Sequence, residues 1–194
     1  MLTASFILIG KKKGFFEMAK KSKIDTAAEK KGKGAVTLWQ LVKFTIVSLL
    51  ACIVQVVSLA ILYNIPAIKE LSTQAFHWFV FDYPVIEGEQ CGLALFIAFN
   101  TSNILAQIVA FFVNRKKTFN ADNNIPVTLT IYLIFTVALV CFSAWLNPVL
   151  FELASGYGIS SGLSTTIATA VCSTLQFVIY FPVDKILMRQ KKTN

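Results

Sequence analysis

Apolar positions along the chain fall into four runs, Phe44 to Tyr63, Cys91 to Val113, Val127 to Leu146 and Ser164 to Val183, and none of the four contains a charge. Each is near the roughly 20 residues that a helix needs to cross a bilayer core. The pattern predicts an all-α polytopic membrane protein with four transmembrane helices, at about 44–63, 91–113, 127–146 and 164–183, forming one domain over residues 38–190.

Polar side chains inside these runs are few and ordered. In the stretch from Asn100 to Phe119, NTSNILAQIVAFFVNRKKTF, the amides Asn100, Asn103, Gln107 and Asn114 fall within about 60° of one another at 100° per residue. A helix here carries one amide stripe that ends in the cations Arg115, Lys116 and Lys117. The first run has a weaker seam of Ser48, Cys52 and Gln55, and the third has only Thr128, Thr130, Thr136 and Ser143. The fourth repeats the theme of the second, with Thr166, Thr169, Ser173, Gln176 and Tyr180 along one face and Asp184 continuing that line. Two hairpins that start on the same side fit a diverged duplication.

The connections read differently from the spans. Residues 1–37 hold nine lysines and few large apolar residues after Phe16, which predicts a basic, disordered tail. In MLTASFILIGKKK the cations follow the apolar run instead of preceding it, which argues against a signal peptide. Met18 opens a plausible start of its own, so the natural chain is expected to begin there. The long connection from Asn64 to Gln90 contains AFHWFVFDY, and Trp78, Phe79, Phe81 and Tyr83 suit a segment lying in the interface. Aromatic faces beside Asp82, Glu87 and Glu89 also suit sugar recognition. Asn147-Pro148 is expected to end the third span, with Glu152 to Gly162 a flexible loop.

Composition strengthens the membrane reading, since 56% of the 194 residues are hydrophobic and only 14% charged, against about a quarter charged in soluble domains. The net charge of +8 does not point to nucleic acid, because the cations collect at the ends of the apolar runs. With the N terminus inside, every one of the 18 cations except Lys69 faces the cytoplasm, a strong positive-inside signal that places both termini there. The expected location is the bacterial plasma membrane. The basic tail reads either as attachment to anionic membrane lipid or as a solvated orientation signal. Cys52, Cys91, Cys141 and Cys172 are single and widely spaced, and are expected to be packing residues without disulfides.

Chemistry is limited by what the spans lack. The four cores contain no carboxylate, no histidine and no charged pair, so neither an enzyme nor a proton-coupled exporter with an intramembrane carboxylate is expected. Asp184 lies too near the edge for that role. His77 is the only histidine, which leaves no multi-histidine metal site, and neither a metal nor a cofactor is expected. What remains is a path of amides and hydroxyls with cations at its mouth. Amides can meet sugar hydroxyls, Arg115 can hold a phosphate with two parallel hydrogen bonds, and Lys43 could assist. The alternative is that the amides hold helices together, which is the commoner use of such residues.

The second span running into Asn114-Arg115 and closing with Thr118-Phe119 resembles the GtrA-like family of four-span membrane proteins, whose members show an apolar helix ending in NRxWTF. Val42-Lys43-Phe44 is similar to that family's VRF entry. Lys117 stands in place of the usual Trp, Lys43 in place of Arg, and Ser48 near a common Gly; FPVDKILM matches the family's second ending only loosely. The resemblance implies movement of a polyprenyl-phosphate-linked monosaccharide across the membrane for cell-surface polysaccharide or teichoic acid glycosylation. It casts Asn114, Arg115, Lys116 and Lys43 as the phosphate end, and Asn100, Asn103, Gln107, Gln55 and Gln176 as the sugar path. The other role left open is a non-transporting anchor for a polyprenyl-phosphate glycosyltransferase. Four spans barely enclose a sugar headgroup, so a homo-oligomer or pairing with such an enzyme is expected.

Overall fold

The computed structural model describes residues 22–86 and 91–188. The Met18 start, most of the basic tail, Glu87 and Glu89 lie outside them. The described part of the segment read as a disordered tail is helical. Ser22 caps α1 (Lys23–Lys30): its hydroxyl accepts from the Asp25 N–H at 3.1 Å and the Asp25 carboxylate accepts from the Ser22 N–H at 2.9 Å. This reciprocal cap satisfies two donors that a helix start leaves open. Gly32 at φ 99° then reverses the chain into α2 (Lys33–Tyr63), a backbone position that glycine tolerates best.

Between α2 and the next long helix come a short helix α3 (Pro66–Lys69), a 3₁₀ turn (Glu70–Thr73) and an antiparallel hairpin of β1 (Phe76–Trp78) and β2 (Phe81–Tyr83). The aromatic cluster expected in an interfacial segment forms this hairpin, and its rings divide between two duties. Phe76, Phe81 and Tyr83 surround Phe96 with centroid distances of 4.1, 5.4 and 5.6 Å. Trp78 and Phe79 project at the hairpin tip and are exposed. The next helix, α4 (Gly92–Val113), begins in close contact with the segment before the hairpin: a Cβ at Gly92 would lie 2.4 Å from the Gln74 carbonyl oxygen.

Helix α4 runs into a π turn (Asn114–Thr118), followed by α5 (Ile125–Gly156) and α6 (Ser161–Leu187). The four long helices are each long and apolar enough to cross a membrane. Helices α2, α5 and α6 exceed the apolar runs that announced them. Thirty-one residues of α2 span about 46 Å, against a hydrocarbon core of about 30 Å. Helix α5 continues through Pro148 to Gly156, eight residues beyond the expected end, since a proline inside a helix removes one backbone hydrogen bond and need not stop it. The flexible loop expected from Glu152 shrinks to the few residues before Ser161.

Packing pairs α2 with α4 and α5 with α6, and joins the two hairpins mainly between α4 and α5. The buried face of α4 is a ridge of small residues four apart: Ala94, Ala98, Ser102, Ala106 and Ala110, each at most 6% exposed. On α2, Tyr63 fits against Ala94 and Ala98, while Val47 and Ala51 fit against Ala106 and Ala110. Small residues let helix axes approach, and in lipid this close packing drives association. Outward faces carry Ile46, Leu49, Ile53 and Ile61 on α2 and Ile134 and Val137 on α5, all more than half exposed. An apolar exterior around a partly polar interior suits a molecule surrounded by lipid. The four cysteines are free thiols, with Cys91 and Cys172 buried.

Candidate functional site

The start of α2, the end of α4, the start of α5 and the end of α6 come together at one end of the molecule. Four hydrogen bonds tie them. Lys43 Nζ donates to the Lys117 carbonyl at 3.0 Å, Lys185 Nζ to the Thr37 hydroxyl at 2.7 Å, Asn114 Nδ2 to Asp184 Oδ2 at 3.3 Å, and Asn123 Nδ2 to the Leu187 carbonyl. Phe44 adds ring contacts to Phe177 and Phe181 at 5.2 and 5.5 Å. Among the described residues every cation except Lys69 belongs to this end.

The π turn shapes the site. The Phe119 N–H reaches back five residues to the Asn114 carbonyl at 2.9 Å, which widens the last turn of α4 and directs alternate side chains to different places. Asn114 and Thr118 turn inward and are buried, with Thr118 Oγ1 donating to Asn114 Oδ1 at 2.8 Å. Arg115 turns toward the α4–α5 connection, where Nη1 donates to the Ala121 carbonyl at 2.5 Å and Nη2 to the Asn123 carbonyl. Beside it is a cavity of about 480 Å³, lined by Phe112, Arg115, Lys116, Asn123 and Pro126 among others. That volume lies within the roughly 300–1,000 Å³ of small-molecule sites. Arg115 Nε and Asn123 Oδ1 are buried without hydrogen-bond partners, leaving a donor and an acceptor on residues of the cavity wall. Asp122 also lines the cavity, close enough to interact with the Arg115 charge.

Of the four residues cast as the phosphate end, only Arg115 and Lys116 share this cavity. Asn114 faces Asp184 instead. Lys43 is held elsewhere, ion-paired with Asp25 and 5.5 Å from the Trp39 ring centroid. The Trp39 indole N–H also donates to Asp25, at 2.8 Å. Burial pushes the Asp25 carboxyl up, but the bonds from Lys43, from the Ser22 backbone and hydroxyl, and from Trp39 outweigh it and hold the group well below its ordinary value. This clasp binds α1 to α2. Its sequence signal was the Ser22-Lys23-Ile24-Asp25 spacing of a capping box; the pairing with Lys43, 18 residues on, had none.

Of the residues cast as a sugar path, Gln107 and Gln176 belong to a seam of hydrogen bonds between helices. Tyr132 Oη donates to Gln107 Oε1 at 2.6 Å, joining α5 to α4. Between α5 and α6, Gln176 Nε2 donates to Ser143 Oγ at 2.6 Å, Tyr180 Oη to Thr136 Oγ1 at 3.1 Å, and Asn147 Nδ2 to Thr169 Oγ1 at 3.5 Å. With Asn114 and Asp184 below, the seam extends about 22 Å along α6. Asn100 leaves it: its Nδ2 donates to the Phe96 carbonyl at 2.8 Å, and its side chain hydrogen-bonds the Tyr83 phenol. Burial lifts that phenol above its ordinary value and the Asn100 bond opposes the shift. Asn103 and Gln55 are half-buried and make no side-chain hydrogen bond among the described residues.

Two features escaped the reading of the sequence. The small-residue ridge of α4 was visible as a four-residue spacing from Ala94 to Ala110 but lies beside the more conspicuous amides. Asp184, dismissed for its place near the membrane edge, is fully buried; Oδ2 accepts from Asn114 while Oδ1 has no partner. No family model, curated protein or solved structure matches the chain.

Proposed function

We propose that this protein moves a polyprenyl-phosphate-linked monosaccharide across the bacterial plasma membrane, with the lysine-rich end cytoplasmic, for cell-surface polysaccharide or teichoic acid glycosylation. The observation that carries this reading is the cavity beside Arg115. Its lining joins the Arg115 guanidinium, a second cation in Lys116 and the Asn123 amide, with Asp122 beside them. Phosphate suits the guanidinium and ammonium, and sugar hydroxyls suit the amides. The apolar exteriors of the spans leave the polyprenyl tail in lipid, while the seam from Asp184 to Thr169 supplies polar groups for the headgroup when helices part. The resemblance of Asn114 to Phe119 to the GtrA-like ending motif adds the substrate class.

The test is a proteoliposome assay with a labelled polyprenyl-phosphate sugar. Arg115→Gln should slow its crossing by roughly tenfold or more, as expected for loss of one hydrogen bond to a charged group, while Lys69→Ala leaves the rate unchanged. Crossing no faster with the wild-type protein than without it overturns the transport reading.

A second reading, an anchor or accessory subunit for a polyprenyl-phosphate glycosyltransferase, is favoured by one observation: Gln107, Asn114 and Gln176 are each already bonded to a neighbouring helix. The exposed Ile46, Leu49 and Ile53 face of α2 would then meet the enzyme or a second copy. Under that reading, substitutions on this face abolish co-purification with the glycosyltransferase and Arg115→Gln has no effect on it.

A further inference from the structure

The least expected group in the membrane domain is the Asp184 carboxyl. It has no accessible surface, and its single hydrogen bond comes from a neutral amide, Asn114 Nδ2, at 3.3 Å. Its other oxygen, Oδ1, is buried and unpartnered. Among the described residues it forms no ion pair. A carboxylate in this setting costs several kcal/mol, whereas a carboxylic acid carries no net charge and keeps the Asn114 bond on its carbonyl oxygen.

The nearby charges do not neutralise it. On the π turn, Arg115 is bonded to the Ala121 and Asn123 carbonyls. Lys43 of α2 is committed to Asp25 of α1 and to the Lys117 carbonyl, and Lys185, the next residue on α6, to Thr37. Lys116, on the same turn, lines the cavity. The titratable groups that feel the Asp184 charge are the phenols Tyr132 of α5 and Tyr180 of α6. Neither supplies a positive charge.

We propose that Asp184 is a proton-binding site, and that gain and loss of its proton is coupled to the cavity beside Arg115. The step is a simple transfer: the carboxylate takes a proton from water, and the acid returns it. The coupling has two routes on the page. Asn114, which donates to Asp184, precedes Arg115 in the π turn; and Asn123, on the cavity wall, donates to the Leu187 carbonyl one turn beyond Asp184. Ionisation strengthens the Asn114 bond and draws water or a cation toward the bare Oδ1, so the α4 turn and the α6 end must shift together. The coupling rests on the headgroup reading of the cavity; the proton site itself does not.

The experiment is infrared difference spectroscopy of the full-length protein in lipid nanodiscs, without substrate, across roughly pH 4 to 9, a range that covers exposed and buried carboxyls. The wild-type protein should show a protonated-carboxyl carbonyl band that disappears above about pH 6, higher than exposed carboxylates allow. Labelling aspartate with ¹³C at its side-chain carboxyl should shift that band, which identifies it as aspartate in the unaltered chain, and Asp184→Asn should remove it. Asn114→Ala, which deletes the bond that favours the ionised form, should move its disappearance to higher pH. A band insensitive to the aspartate label, a band retained in Asp184→Asn, or no titration above about pH 6 overturns the proposal. In the flipping assay, a proton gradient should change the wild-type rate and leave that of Asp184→Asn unaltered; a gradient effect retained in Asp184→Asn overturns the coupling. A titrating Asp184 in a protein that does not flip the lipid separates failure of the transport reading from failure of the proton site.

Discussion

Helices α2 and α4 meet through Val47 and Ala51 against Ala106 and Ala110, and through Tyr63 against Ala94 and Ala98, whereas α5 and α6 meet through Ser143, Thr136 and Asn147 bonded to Gln176, Tyr180 and Thr169. Both hairpins lie in the same environment, where lipid is as apolar as leucine and burial of apolar surface gives little net drive. The first solves this by close approach of backbones and the second by side-chain hydrogen bonds. Close packing has one tight arrangement and resists sliding. Hydroxyls and amides keep their capacity to bond in more than one pairing, so the α5–α6 seam is where rearrangement costs least. The α4 helix belongs to both schemes, presenting its ridge to α2 and Gln107 and Asn114 to the second hairpin.

Overpacking the ridge is the strongest way to break the contrast. Ala98→Leu or Ala106→Leu places three additional carbons at positions no more than 1% exposed, and the expected cost is about 1–3 kcal/mol or more, read as a lower thermal midpoint in detergent. A comparable insertion on the other hairpin, Ser143→Leu, should cost less, because its neighbours can yield.

Removing bonds sharpens the same contrast from the polar side. Tyr132→Phe, which leaves the ring in place and deletes the bond to Gln107, should destabilise by about 0.6 kcal/mol, as should Gln176→Leu at Ser143. A double-mutant cycle over Tyr132 and Gln107 should return a coupling of that size. Coupling near zero would mean that the seam contributes no stability, and its polar groups would then need a purely functional explanation.

The smallest effect concerns how α1 attaches to α2. The Asp25 carboxyl is depressed by its partners, so its stabilisation is complete above about pH 4 and is lost as pH falls toward its lowered value. Hydrogen exchange in α1 should therefore be steady from neutral pH to about pH 4 once corrected for intrinsic rates, and rise below it. Asp25→Ala should give that faster exchange at neutral pH without altering the four long helices.

The four membrane-length helices were legible from hydropathy, because insertion in lipid depends on local length and charge, which a single run of residues carries. The motif from Asn114 to Phe119 was legible too, as a change from apolar to cationic. The direction each helix faces was not. Membrane helices are apolar on most sides, so periodicity barely distinguishes a lipid face from a packed one, and the Ala94 to Ala110 ridge emerged only when α2 lay against it. Asp184 illustrates the same limit, since its burial depends on where α6 ends relative to the other helices.

By itself, then, the sequence determined an all-α chain with four membrane-length helices, cations gathered at the ends of the runs and amides along two of them, all properties set by neighbouring residues. Tertiary structure decided which polar groups meet: Lys43 with Asp25, Gln107 with Tyr132, Asn114 with Asp184, and Arg115 with the wall of a cavity. Those partners are 18 to 70 residues apart except within the α4–α5 turn, and contacts at that range depend on how helices rotate and slide against one another, which no local pattern specifies.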